Sequence, residues 1–177
     1  DLKKALQLPE ARKALDKEWK KLLDRQAFDF SRVESKAAVM ARAKASGQNA
    51  HFGEVCELCH IKNSQLDEKF QSYKGRAVFR GDQVREEDGS FAVFSEQGTS
   101  ASHMAAAKIL DVVARMPGND GEDSDATSAY CQVRLADYAH MLNDKPGQTT
   151  ETWVRLPRHR WPKNWSGITD PVVPLLI

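Results

Sequence analysis

The sequence predicts an α+β fold in which helices and short strands are interleaved along the chain. Three observations carry this reading. An apolar stripe at helical spacing stands near the start, short β-rich runs bounded by Gly, Asn and Ser fill the middle, and a second helical stripe closed by Pro-Gly precedes a return to strand patterning. With 177 residues, 41% apolar and 29% charged, the chain is long enough to bury a core and has an ordinary globular composition.

Pro9 stands in the first turn of a helix in which Ala11, Leu15, Trp19 and Leu22 recur at helical spacing, with Lys and Glu opposite. A second helix is expected from Ser31 as its N-cap, with Val33, Ala37, Met40 and Ala41 on one stripe and Gly47 as its stop. Glu54 to Lys62 and Gly75 to Arg80 are short, rich in β-formers and bounded by turn residues, and read as strands. Asp88-Gly89, between Gln83-Val-Arg-Glu-Glu and Ser90-Phe-Ala-Val-Phe94, signals a tight hairpin turn and a small antiparallel ribbon. From His103 to Met116 a helix face is traced by Met104, Ile109, Val112, Val113 and Met116, and Pro117-Gly118 ends it. An acidic polar loop, Asn119 to Ser124, leads into Asp125 to Leu135, expected to be extended, and strand patterning recurs at Thr152-Trp-Val-Arg-Leu156. The chain thus divides into a helical section at 1–50, a β-ribbon at 51–98, and a helix followed by the start of a second β region at 99–177.

Lys+Arg 26 against Asp+Glu 25 leaves a net charge of +1, so the overall balance does not announce a nucleic-acid binder. Locally, Arg155 to Lys163 reads Arg-Leu-Pro-Arg-His-Arg-Trp-Pro-Lys without an acid, a run that either meets phosphates or stands as a solvated loop. Three cysteines do not make a disulfide framework and fit a reducing, intracellular compartment. No apolar run approaches the roughly 20 residues that span a bilayer, so no membrane partner is expected. The missing initiator Met and the apolar ending Pro171-Val-Val-Pro-Leu-Leu-Ile177 point to a piece of a longer polypeptide.

Two constellations bear on chemistry. Cys56-Glu-Leu-Cys59-His60 matches the string used for covalent haem attachment and would suit half of a zinc site. Haem attachment belongs to an exported protein, and zinc needs two further ligands, so the favoured reading is a strand whose thiols pack as small apolar groups. His51 and Glu54 lie nearby, but zinc deaminases require His-x-Glu and a later Pro-Cys-x-x-Cys, and neither spacing is met. The second constellation is Asp125 with Ala129 and Tyr130. Phosphoryl transfer to a nucleotide needs carboxylates that hold Mg²⁺; one Asp supplies one such ligand, and an Asp after an acidic loop is by itself more often a helix cap or a solvated turn.

Asp125-Ala-Thr-Ser-Ala129-Tyr130 resembles the first catalytic motif of reverse transcriptases, an Asp followed four residues later by Ala and an aromatic. Other strings agree in order. Pro9-Glu-Ala-Arg-Lys-Ala-Leu-Asp-Lys-Glu-Trp19 is similar to the helix opening the copia-type LTR retrotransposon reverse transcriptase domain, and Tyr73-Lys-Gly-Arg76-Ala-Val-Phe-Arg80-Gly81 resembles its Tyr-Lys-Ala-Arg-Leu-Val-Ala-Lys-Gly fingers strand. Phe94-Ser-Glu96 and Glu151-Thr-Trp-Val-Arg-Leu-Pro157 stand where that family has its Glu-Thr-Phe-Ala-Pro-Val segment and a strand ending in Pro. The resemblance is collinear over nearly the whole chain.

What the resemblance implies is an N-terminal fragment of a Pol polyprotein: helices at 1–50, a fingers ribbon at 51–98, and the start of a palm at 99–177. The parent reaction would add deoxynucleotides to a primed RNA or DNA template with two Mg²⁺ ions, or Mn²⁺ in their place. Asp125 would bind metal, with the Ala126 carbonyl as a further ligand. Ser128 and Ala129 would offer backbone N–H groups to the triphosphate, and Tyr130 would exclude a 2′-hydroxyl by filling its volume. Lys74, Arg76 and Arg80 would contact the triphosphate from the fingers. Partners would be the primer–template, deoxynucleotides and the rest of the polyprotein, in a cytoplasmic particle or the nucleus. The family's aromatic-x-Asp-Asp turn is absent from these residues, so the chain by itself is expected to lack polymerase activity. The rival reading is a noncatalytic nucleic-acid- or protein-binding relic of such an element.

Overall fold

The computed structural model describes residues 2–92, 104–122, 124, 129–138 and 150–177. They fall into two compact units, one of Asp1–Ala92 with Tyr130–Ile177 and one of Val93–Ala129. The architecture is mixed α+β. In chain order the elements are α1 (Leu2–Ala5), α2 (Pro9–Asp24), β1 (Glu34–Ser35), α3 (Lys36–Ser46), β2 (Ala50–Lys62), β3 (Ser72–Phe79), α4 (Met104–Ala114), β4 (Glu151–Arg155) and β5 (Pro171–Pro174). The five strands form one mixed sheet in the order β1-β5-β4-β2-β3.

α2 forms where the stripe places it, with Pro9 in its first turn and Ala11, Leu15 and Trp19 buried. The second helix differs from expectation: it starts at Lys36, where the Ser35 hydroxyl accepts from the Ala38 N–H at 3.3 Å, and not at Ser31. Asp29 takes the capping role there, accepting from the Ser31 N–H at 3.0 Å over a single 3₁₀ turn at Phe30–Arg32, and Glu34–Ser35 is drawn into pairing with β5. Gly47, at φ +66°, ends the helix as expected, a left-handed position that glycine adopts without steric cost.

β2 is staggered between two neighbours. Ala50–Glu54 pairs in parallel with Glu151–Arg155 on one edge, and Val55–Lys62 pairs antiparallel with Ser72–Phe79 on the other. This second ladder is the long ribbon of the fold. Asp88-Gly89 does form a tight turn, with Gly89 at φ +90° and the Glu86 N–H donating to the Ser90 carbonyl at 2.9 Å. Its flanks, however, make only isolated bridges, Arg85 with Phe91 and Arg85 with Phe52. Nor is Asp125 to Leu135 a strand in its described part: Ala129–Cys131 and Leu135–Tyr138 are 3₁₀ turns. Point contacts replace a ladder here, namely Arg25 Nη1 to the Cys131 carbonyl (3.1 Å) and the Leu135 N–H to the Leu176 carbonyl (3.0 Å).

Alternation along the central strands buries both faces. Trp19, Phe28, Val55, Val154, Leu156, Trp165 and Val173 pack together on the α2 side. Val39, Ala43, Phe52, Trp153 and Val172 pack on the α3 side. Successive residues of β4 and β5 therefore serve opposite cores, which is why the buried centre of β4, Trp153-Val154, and the whole of β5 are apolar. In the smaller unit, α4 ends before Gly118, at φ +84°, and the Asn119 side chain donates to the Val113 carbonyl at 2.9 Å.

Candidate functional site

Of the residues that the resemblance assigns to metal and triphosphate, Ala129, the Tyr130 backbone, Lys74, Arg76 and Arg80 are among the described residues. Asp125, Ala126 and Ser128 lie outside the described residues, as does the side chain of Tyr130. Ala129 opens the 3₁₀ turn Ala129–Cys131. Lys74, Arg76 and Arg80 are all described, and their placement follows from strand geometry.

Gly75 in β3 faces α2 so closely that a Cβ there would lie 2.8 Å from the Ala14 carbonyl oxygen and 2.8 Å from Leu15 Cα. Side chains alternate along a strand, so Lys74 and Arg76 must point away from α2. Both are exposed, and neither has a hydrogen-bond or ion-pair partner among the described residues. Directly opposite them across the ladder stand His60 and Leu58. Cys56, Leu58, His60 and Lys62 of β2 thus share with Lys74, Arg76 and Arg80 a face that α3 does not reach. Arg80 is engaged: its guanidinium lies 3.3 Å from Asp82 and 3.9 Å from Glu54. Of the three predicted cations, Lys74 and Arg76 are the pair left available to a ligand. His60 and Lys62 were legible only once the register was known.

The opposite face of the ribbon is braced. Glu57, 3% exposed, accepts from Arg160 Nε at 3.0 Å and Nη2 at 2.8 Å, and its other oxygen meets His159 Nε2. Arg160 also reaches Asp16 of α2 and lies over the Trp19 ring at 5.4 Å. Burial works against the Arg160 charge, and the hydrogen bonds to Glu57 and Asp16 outweigh it, so its pKa lies above the ordinary value. The acid-free run at Arg155–Lys163 is therefore largely spent on structure. Arg155 is held by Asp170 through two bonds of 2.6 and 2.7 Å, and His159 and Arg160 turn inward to Glu57. Spacing alone could not reveal this, because the acids that neutralise the run come from β2, α2 and Asp170.

Cys56 and Cys59 are three apart on one strand and so point to opposite faces, which is incompatible with a shared metal or haem anchor. Both are half-buried free thiols, and burial raises the Cys59 pKa. No group of three or more His, Cys, Asp or Glu side chains that could hold a metal ion occurs among the described residues. No helix among them is long and apolar enough to cross a membrane. No protein-family model, curated protein or solved structure matches this chain.

Proposed function

We propose that this chain is the fingers and first-aspartate part of a copia-type retrotransposon reverse transcriptase, acting on a primer–template in its complete reading frame. The observation that carries the reading is the uncovered ribbon face. Lys74 and Arg76 are adjacent on it with no hydrogen-bond or ion-pair partner among the described residues, at the roughly 6.6 Å separation that alternate strand residues have, and two neighbouring phosphates can engage two such cations at once. The collinear family strings support the same reading. In it, Asp125 and the Ala126 carbonyl would hold Mg²⁺, which supplies charge stabilisation for the displaced diphosphate. Ser128, Ala129 and Tyr130 would line the nucleotide, and Glu57 with Arg160 would hold the ribbon rigid beneath its cations.

The test is Mg²⁺-dependent deoxynucleotide incorporation on a primed RNA template by the protein expressed in its complete reading frame. Asp125→Asn should abolish incorporation, and Lys74→Gln or Arg76→Gln should each lower kcat/KM by roughly tenfold, the effect of one lost charge-assisted contact. A folded protein that binds primer–template yet incorporates nothing would instead make this a noncatalytic nucleic-acid-binding relic.

A further inference from the structure

On the α3 side of the sheet, where β2 passes from one neighbour to the other, lies a cavity of about 140 Å³ lined by Lys36, Phe52, Gly53, Glu54, Gln83, Arg85, Arg155 and Val172. Three cations and an amide face one carboxylate in this space. Two of the cations are oriented in advance by other contacts. Asp170 engages Arg155 through Nε and Nη2, leaving its Nη1 unspent. Arg85 donates from Nη1 to the Gly89 carbonyl at 3.0 Å and lies over the Phe91 ring at 3.7 Å, leaving its Nε and Nη2 edge unspent. The Lys36 ammonium sits 5.2 Å from the Phe52 ring centroid and has no hydrogen-bond or ion-pair partner among the described residues.

A cavity of this size admits one compact group and excludes a nucleoside. Guanidinium edges held in place and a free ammonium are the donor set that tetrahedral oxyanions select, since each oxygen can accept from a separate N–H at little cost in side-chain entropy. The space also opens on the same side of the sheet as Lys74, Arg76 and Arg80, and Arg80 lies beside Glu54 at the cavity wall. We propose that this cavity is a phosphate-binding site, with Lys36, Arg85, Arg155 and Gln83 as donors and Glu54 as a like-charged neighbour that limits its affinity. The phosphate belongs either to a free phosphate ion or to a phosphodiester of a strand crossing the ribbon. The site does not depend on the polymerase reading, because none of its residues is assigned there.

The experiment is a titration of the full chain with inorganic phosphate at constant ionic strength, chloride being exchanged for phosphate, followed through the backbone amide shifts of Gly53, Arg85 and Arg155. Saturable shifts are expected. Lys36→Gln and Arg85→Gln should each weaken binding by about tenfold, the loss of one charge-assisted contact. Glu54→Gln should tighten it, and Lys74→Gln should leave it unchanged. Competition by a short oligodeoxynucleotide at the same amides would assign the phosphate to a strand; its absence would assign it to the free ion. Shifts that do not saturate, or affinities that folded Lys36→Gln and Arg85→Gln proteins leave unchanged, would overturn the proposal. Loss of deoxynucleotide incorporation with phosphate binding intact would count against the polymerase reading alone.

Discussion

Replacing Glu57 by Ala isolates the brace under the ribbon. The side chain is essentially inaccessible, and it takes two hydrogen bonds from Arg160, itself mostly buried, and one contact from His159. Glu57→Ala leaves the guanidinium in the interior with Asp16, half exposed, as its remaining carboxylate. Breaking a buried pair from one side costs about 3–5 kcal/mol, because the surviving charge has lost its compensation. That is a large part of the roughly 5–15 kcal/mol by which domains are stable, and at about 2–4 °C per kcal/mol for this size it lowers Tm by on the order of 10 °C. Urea unfolding followed by tryptophan fluorescence reads it, since Trp19, Trp153 and Trp165 are buried. Arg160→Met should also destabilise, and Glu57→Ala with Arg160→Met should cost less than the two single losses added, a non-additivity that a double-mutant cycle measures. A cost for Glu57→Ala below about 1 kcal/mol, the value of an exposed pair, or strict additivity in the cycle would refute the idea that this network anchors the ribbon.

Two further outcomes follow from local geometry. Gly75→Ala should cost about 1–3 kcal/mol, because its Cβ would press on the α2 backbone, which cannot rotate aside as a side chain can; Gly81→Ala, with nothing within 4 Å of its Cβ, should change stability by less than about 0.5 kcal/mol, and chemical denaturation compares the two. Burial lowers the His51 pKa from 6.5, against the opposing pull of Glu86 and Glu87. The unfolded chain therefore binds this proton more readily, so the contribution is intact above pH 6.5 and is lost as pH falls from there toward the lowered folded value. His51→Gln should flatten the stability profile across that interval.

Much of the local structure was legible because it rests on near neighbours. α2 and β4 lie within a residue or two of their patterned runs, and Gly47 and Asp88-Gly89 act where their conformational preferences direct. The misreadings came from distant partners. Val33 fitted a helical stripe, yet the next two residues pair with Pro171 and Val172, and where Ser31 was expected to cap a helix, Asp29 caps a single 3₁₀ turn. The alternating cationic side of β3 was visible in Tyr73 to Arg80, but only the structure shows that Arg80 is engaged by Asp82 and Glu54 while Lys74 and Arg76 have no such partner among the described residues. The cavity between α3, β2, Arg85 and Arg155 had no sequence signal at all, since its donors are scattered from residue 36 to residue 155. The readings on Asp125, Ala126, Ser128 and the Tyr130 ring rest on the family strings alone.

The stagger of β2 also sets the order in which the sheet can assemble. Val55–Lys62 meets β3 across the short connection at 63–71, a local closure, whereas Ala50–Glu54 must wait for β4, about a hundred residues further along. Until then the β4-facing edge of β2, with Phe52 in it, stands open, the sort of edge that recruits strands from other molecules. A nascent chain halted before Glu151, or a fragment truncated there, should accordingly be prone to aggregation, and supplying 151–174 should close the edge and restore solubility.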